Sequence, residues 1–208
     1  MPYTMYLPNC KTTTDIEEFI EAYSEKYFQD YPKNNKEKED GIISITQKGR
    51  DMEPADVIAL MRWKTGDSKT EYAIVDCYGK HFSLDIGENV VNAISSDVEQ
   101  NDMDMYRTLL KQNMYGLGTV YLLTLVWAIS GMKYPIYDKF AKVAITAIKE
   151  SKKPYEIHYE YPPDKTRVDD IKDMYEKYQK QLLDVFGEDW KTRREIDQAL
   201  WVYGHQKL

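Results

Sequence analysis

A run of 21 residues without a charged side chain, from Gln112 to Met132, sets the first limit on the fold of this 208-residue chain. A run of that length has to be considered as a transmembrane helix. Only about residues 120–129 are densely apolar, however, and the run opens with polar residues and glycines. The pattern therefore predicts a buried core helix, and we expect no membrane partner.

Composition is typical of a folded, soluble protein: 42% of the residues are hydrophobic and 30% are charged. The length suffices for one domain or for two small subdomains. Two cysteines cannot form a disulfide framework or a four-cysteine metal site, and the three histidines lack the spacing of metal ligands. We therefore expect no metal and no cofactor. The opening MPYTMYLPNCK lacks the order of a signal peptide, which predicts a cytoplasmic protein.

Helix-start signals and apolar periodicity predict a mainly α fold. Thr14-Asp15-Ile16-Glu17 has the form of a capping box, and the helix that it opens runs to about Gln29. A polar, lysine-rich loop is predicted over 32–40, and Glu53-Pro54 begins a second helix that ends at Gly66. Further helices are predicted at about 88–97, 103–113, 118–130, 138–150, 166–186 and 192–203.

One stretch has strand-like composition. Residues 70–86 carry β-branched and aromatic residues around a Tyr-Gly-Lys turn, which predicts a short β-hairpin. An irregular loop is the alternative. We expect little other β-structure.

Charge is distributed unevenly along the chain. Residues 105–153 contain eight lysines and arginines and two acidic residues, a net charge of +6, whereas the whole chain carries −7. A basic segment inside an acidic chain is what a confined polyanion-binding surface requires. The alternative is that these lysines only solvate helix surfaces.

Two glycines within this basic segment separate two predicted helices. Gly116-Leu117-Gly118 is the centre of a helix, short turn and helix, which is a helix-hairpin-helix arrangement. Such glycines let bare backbone N–H groups approach a phosphate, and the N-terminus of the following helix adds its positive dipole end. The alternative is that a glycine simply ends a helix.

Asp138 follows Gly116 by 22 residues, in the string Tyr-Pro-Ile-Tyr-Asp. One apolar helix and a return loop fit within that separation, which places Asp138 at the start of the next helix. Asp138 can serve there as an N-cap, worth about 1 kcal/mol. A catalytic role is compatible with capping, because a carboxylate at a helix start is held ionised and oriented.

Together these strings resemble the helix-hairpin-helix superfamily of DNA glycosylases: Gly-Leu-Gly, an apolar helix, then Tyr-Pro-Ile-Tyr-Asp with Lys142 four residues on. The chain is also similar to oxoguanine-glycosylase-like hypothetical proteins of bacteria, through Tyr-Pro-Ile-Tyr-Asp-Lys and the tail Ile-Asp-Gln-Ala-Leu-Trp-Val-Tyr-Gly at 196–204. The match covers about 114–145 and the tail. It implies two helical subdomains with a cleft, one formed by about 87–153 and the other by 1–86 with 154–208.

The resemblance implies double-stranded DNA as the partner and base excision repair as the process. Asp138 would stabilise the positive charge that develops on the deoxyribose as the N-glycosidic bond breaks, after the damaged base has been flipped out. The residues expected at the DNA backbone are Gly116, Leu117, Gly118, Thr119, Lys139 and Lys142. The base-pocket candidates, each with core packing as the alternative, are Trp63, Tyr137 and Trp127.

The sequence departs from the family at one position that decides the chemistry. Bifunctional glycosylases carry a lysine nucleophile two residues after the second hairpin glycine, and here that residue is Val120. Schiff-base and strand-cleaving chemistry is therefore not expected. We predict a monofunctional DNA glycosylase. The alternatives are a catalytically silent helix-hairpin-helix DNA-binding module and a protein-interaction module.

Overall fold

The computed structural model of the chain describes residues 3–8, 11–31, 35–65, 84–94, 101–111 and 117–206. These ranges are mainly α-helical, as predicted, and the predicted helices are found with ends that differ by a few residues. The helices within them are α1 Ile16–Gln29, α2 Lys36–Lys48, α3 Pro54–Thr65, α4 Leu84–Ile94, α5 Asp102–Lys111, α6 Thr119–Ile129, α7 Lys139–Glu150, α8 Val168–Phe186 and α9 Arg194–His205.

The strands that the structure describes form a small antiparallel sheet near the N-terminus. β1 Met5–Tyr6 pairs with β2 Thr12–Thr13, with Met5 opposite Thr13. Strands of two residues are too short to show a periodicity, so the sequence did not predict them. Most of the predicted hairpin over 70–86 lies outside the described residues, and its last three residues form the first turn of α4.

Helix α2 replaces part of the predicted loop, since the prediction placed 36–40 in a polar connection. The buried positions of α2 are Glu39, Ile42, Ile45 and Thr46, at helical spacing. Two of these four residues are polar. The sequence therefore shows no apolar periodicity over α2, although one face of the helix is buried. The loop prediction for 36–40 was therefore wrong.

The cap of α1 also differs from the prediction by one residue. Asp15, rather than Thr14, is the N-cap: its Oδ1 accepts hydrogen bonds from the N–H groups of Glu17 at 2.9 Å and Glu18 at 3.3 Å. The hydroxyl oxygen of Thr13 accepts from Asp15 N–H at 3.0 Å, which turns the chain from β2 into the helix. Aspartate is among the strongest N-cap residues.

The chain divides into two compact units. Unit 1 comprises Met1–Asn35, Pro135–Tyr161 and Asp173–Leu208, and unit 2 comprises Lys36–Tyr134 and Pro162–Lys172. Asp138 belongs to unit 1, and the described part of the glycine turn belongs to unit 2. The subdomain division that the sequence predicts, at about 87 and 153, stays a prediction.

In unit 1, α9 packs against both α1 and α7. Phe19, Tyr23 and Tyr203 form a buried aromatic cluster there, with ring centroids 5.0–5.3 Å apart. The hydroxyl of Tyr23 also donates to the carbonyl of Tyr6 at 2.9 Å, which ties α1 to β1. The start of α7 thus belongs to a core of three packed helices.

In unit 2, α6 is the central helix and contacts α2, α3 and α5. Nine of its eleven residues are buried, which confirms that the uncharged run forms a core helix over this part. Among the described residues, no helix combines the length and apolarity that crossing a bilayer requires.

Candidate functional site

Asp138 is the N-cap of α7, as the sequence predicts. Its backbone is extended, with φ −137° and ψ 147°, and its Oδ1 accepts a hydrogen bond from Phe140 N–H at 2.9 Å. The residue is half-buried. A helix N-terminus carries partial positive charge, so this position favours the ionised carboxylate and fixes its orientation.

Two tyrosines of α8 hold the segment that leads into Asp138. Tyr175 donates its hydroxyl hydrogen bond to the carbonyl of Pro135 at 2.5 Å, and Tyr178 donates to the carbonyl of Ile136 at 3.2 Å. Both tyrosines are buried. Because they lie three residues apart on one helix face, they satisfy two successive carbonyls and fix the backbone just before Asp138.

We expect Tyr175→Phe to lower the free energy of unfolding by about 1–3 kcal/mol, because it leaves the carbonyl of Pro135 buried without a donor. Urea unfolding followed by circular dichroism measures this change. Tyr155→Phe is the matched control, since Tyr155 is 55% exposed. Equal stability of the two variants would show that the Tyr175 hydrogen bond does not support the segment.

Helix α9 comes into direct backbone contact with the start of α7 at Gly204. A Cβ atom added to Gly204 would lie 2.6 Å from the carbonyl carbon of Phe140 and 2.9 Å from its Cα. Only glycine fits at this distance. The contact brings together two of the regions on which the resemblance rests: the tail at 196–204 and the segment just after the Tyr-Pro-Ile-Tyr-Asp string.

His205 follows Gly204 and contacts Phe140, whose N–H binds Asp138. No pattern in the sequence predicted that this histidine lies near Asp138. Its ring stacks on Phe140 with centroids 3.2 Å apart and lies 3.8 Å from the ring of Trp201. Its Nδ1 lies 2.8 Å from the carbonyl oxygen of Trp201. Burial lowers the pKa of His205; the bond to Trp201 and the charge of Asp138 oppose this shift.

Neutral phenols also surround Asp138. Burial, with a smaller contribution from the charge of Asp138, raises the pKa of Tyr159 to about 12. Burial likewise raises the pKa of Tyr137 and of Tyr178, with Asp138 contributing to both. These hydroxyls stay protonated at neutral pH, so the site combines a carboxylate, an imidazole and neutral phenols.

The two lysines predicted to contact DNA have different surroundings. Lys139 is exposed, and its Nζ lies 5.3 Å from the ring centre of Tyr159 and 6.0 Å from that of Tyr161. Lys142 is half-buried and donates to Gln181 Oε1 at 2.5 Å, and burial lowers its pKa. Phosphate contact stays a prediction for both lysines. The greater exposure of Lys139 favours it over Lys142.

Three of the eight basic residues in the predicted basic segment lie in ion pairs. Lys149 pairs with Asp184 at 2.5 Å, and Lys152 pairs with Glu150 at 2.7 Å. In unit 2, Arg107 lies 3.3 Å from Asp104. These ion pairs reduce the positive electrostatic potential around their own basic residues. Lys139 is therefore a stronger candidate for binding phosphate.

The described part of the predicted hairpin begins at Leu117, because Gly116 lies outside the described residues. Gly118 is the exposed N-cap of α6, with φ −82°, and a Cβ there would meet nothing within 4 Å. The hydroxyl of buried Thr119 donates to the carbonyl of Pro163 at 2.8 Å, and Leu117 is buried. The N–H groups of the first turn of α6 are the groups that suit a phosphate here.

The lyase position, Val120, is half-buried in the first turn of α6.

The base-pocket candidates take part in packing. Trp63 and Trp127 stack on each other in unit 2, with centroids 5.8 Å apart and planes 21° apart. Trp127 and Tyr137 are 3% and 1% exposed, and Trp63 is half-buried. A cavity of about 10 Å³ beside Arg50 and Ile129 has room for about one water molecule, far less than a nucleobase needs. A role in base recognition stays a prediction for all three rings.

Over the ranges given above, no group of three His, Cys, Asp or Glu side chains could hold a metal ion. Comparison with protein-family models, with curated proteins and with solved structures found no match. The Asp138 site and the sequence strings are therefore the features that bear on the class of this protein.

Proposed function

We propose that this is a DNA-binding, helix-hairpin-helix glycosylase-like protein that hydrolyses the N-glycosidic bond of a damaged base in double-stranded DNA. The supporting observation is the Asp138 carboxylate, which is fixed at the start of α7 by Phe140 N–H and half-buried among neutral phenols and an imidazole. Breaking a glycosidic bond develops positive charge on the sugar, and a fixed carboxylate on one face stabilises that charge.

The proposed reaction is a hydrolysis without strand cleavage. The damaged base leaves the stack, the C1′–N bond breaks while Asp138 faces the positive sugar, and water supplies the oxygen. Val120 occupies the position at which a lyase would need an amine, so no Schiff base forms there. This chemistry corresponds to a base excision repair activity of the monofunctional kind.

The start of α6, in unit 2, is proposed to bind a DNA phosphate, and Lys139, in unit 1, is a separate candidate for a phosphate contact. Gly118 leaves the first turn of α6 open to a backbone phosphate, and neither its φ nor its surroundings require a glycine for folding. A glycine that folding does not require is consistent with the close approach of a ligand. Contacts of this kind give salt-dependent affinity without sequence preference.

We expect Gly118→Glu to weaken duplex binding by about tenfold or more at low salt, because it places a negative charge where the phosphate would bind. Gly41→Glu is the matched control: Gly41 lies on α2 in the same unit, is exposed and also has open space at its Cβ. Fluorescence anisotropy with a labelled duplex measures both. Equal losses in the two variants would mean that net charge, rather than the start of α6, controls binding.

The direct test of the function is single-turnover base release from duplexes that carry 8-oxoguanine, its mispairs, uracil or alkylated purines. Release that is lost in Asp138→Asn would establish the glycosylase and identify its base. Absence of release from every duplex, with salt-sensitive binding intact, would exclude these glycosylase activities.

The second candidate function is a catalytically silent DNA-binding module. The observation that favours it is the packing of the predicted base-pocket rings, since Trp127 and Tyr137 are almost fully buried. Such a module would keep the phosphate contacts and the salt dependence but release no base. Absence of DNA binding at low salt would instead favour a protein partner.

A further inference from the structure

Besides Asp138, the site holds His205, whose hydrogen-bond partner favours one tautomer of the imidazole. The Nδ1 of His205 lies 2.8 Å from the carbonyl oxygen of Trp201, and a carbonyl can only accept a hydrogen bond. A neutral imidazole at this place therefore carries its hydrogen on Nδ1. Its Nε2 then has the lone pair, which makes this atom a base.

Three contacts place this imidazole beside Asp138. Phe140 donates its N–H to Asp138 Oδ1 at 2.9 Å, and the ring of the same residue stacks on His205. Gly204 lets the α9 backbone touch the backbone of Phe140. The imidazole is also held between the rings of Trp201 and Phe140, with Tyr31 at its edge 5.6 Å away. The ring has a fixed orientation, which a proton-transfer group needs.

The charged groups near His205 come from the start of α7. Asp138 favours the imidazolium form, and Lys139 disfavours it. Because burial is the largest influence and lowers the pKa, His205 is neutral near pH 7. The His205 side chain is half-buried. A neutral imidazole next to an ionised carboxylate is a pair suited to activating water.

We propose that His205 is the proton acceptor of this site, taking a proton from the attacking water on Nε2 while Asp138 faces the sugar. This inference rests on the proposed function. The water oxygen forms its bond to C1′, one water proton moves to Nε2, and the C1′–N bond breaks with its electron pair remaining on the base nitrogen. The imidazolium then returns the proton to the departing base, so protons and charge balance.

The first experiment tests the imidazole without requiring activity. Two-bond ¹H–¹⁵N NMR correlations of the 208-residue chain report the tautomer of His205 and its titration midpoint. We expect the Nδ1–H tautomer. We also expect a lower midpoint for His205 in Asp138→Asn and a higher one in Lys139→Gln. An Nε2–H tautomer would overturn the proposal. A titration midpoint of His205 that does not change in Asp138→Asn would overturn it as well.

The second experiment uses His205→Asn, whose amide can still donate to the carbonyl of Trp201 but has no base at the Nε2 position. We expect single-turnover base release to fall by about 10²- to 10⁴-fold, with duplex binding unchanged, because general-base catalysis contributes that much. His158→Asn is the matched control and should keep the wild-type rate.

The outcomes separate this proposal from the function on which it rests. Wild-type release that persists in His205→Asn would overturn the role of His205 and leave the glycosylase intact. If the wild-type protein releases no base, the function and the proton transfer are both wrong, whatever the tautomer.

Discussion

Gly204→Ala should be among the most destabilising single-methyl substitutions in the chain. The new Cβ would overlap the carbonyl oxygen of Phe140 and lie 2.6 Å from its carbonyl carbon, and these are backbone atoms that cannot change rotamer. Helices α7 and α9 would have to separate. We expect a loss of about 3 kcal/mol or more in the free energy of unfolding, at the upper end of the range for overpacking.

Urea unfolding of Gly204→Ala beside Gly41→Ala makes the comparison direct. Gly41 lies within α2 and its Cβ position is open, so alanine there should stabilise the protein by about 0.5–1 kcal/mol. Both variants add one methyl group to a helical glycine, and only the packing differs. Similar stabilities for the two would show that α9 does not touch α7 at Phe140.

The same substitution has a consequence for the site. His205 is positioned by its contact with Phe140, and Phe140 also holds Asp138 through its N–H. A shift of α9 away from α7 would therefore move the imidazole relative to the carboxylate. Changes in the NMR signals of His205 in Gly204→Ala, at a denaturant concentration where the variant is still folded, would show this coupling.

The local features of this site could be predicted from the sequence, because local chemistry specifies them. An aspartate before an apolar-periodic helix is a strong N-cap signal, and Asp138 is the N-cap of α7. The uncharged run predicted a core helix, and α6 is that helix. Both inferences need only neighbours within one or two turns.

Contacts between distant parts of the chain could not be predicted. His205 lies 67 residues after Asp138, and their proximity depends on one glycine fitting against one backbone turn. The hydrogen bond from the Tyr175 hydroxyl to the carbonyl of Pro135 joins residues 40 positions apart in the chain. Periodicity indicates that such tyrosines face inward, but it does not indicate which carbonyls their hydroxyls reach.

The missed helix and the difference between two lysines of α7 also have a physical cause. Helix α2 was missed because its buried face includes Glu39 and Thr46, so its hydrophobic pattern is weak. The sequence does not distinguish Lys142 from Lys139 as a phosphate ligand. Lys142 lies three residues further along α7, however, and its side chain points toward Gln181. A charge count alone does not distinguish an exposed ammonium from a packed one.

Substitutions of Asp138 should separate its capping role from the catalytic role that we propose for it. Asparagine caps a helix about as well as aspartate, so Asp138→Asn should change the free energy of unfolding by only a few tenths of a kcal/mol. It removes the negative charge, however, and we expect base release to fall by about 10²- to 10³-fold, the effect of losing one preorganised electrostatic group. Asp138→Ala should lose the same activity and about 1 kcal/mol of stability as well.

Asp15 provides the matched control, because it caps α1 in the same unit through hydrogen bonds to Glu17 and Glu18 N–H. Asp15→Ala should cost about 1 kcal/mol of stability, like Asp138→Ala, but leave base release at the wild-type rate. Urea unfolding and single-turnover release on the same four proteins give the full comparison. If Asp138→Asn released base as fast as the wild type, the carboxylate would be a cap alone. The glycosylase proposal would then lose its central residue, and binding to DNA would have to be explained by the start of α6 and Lys139.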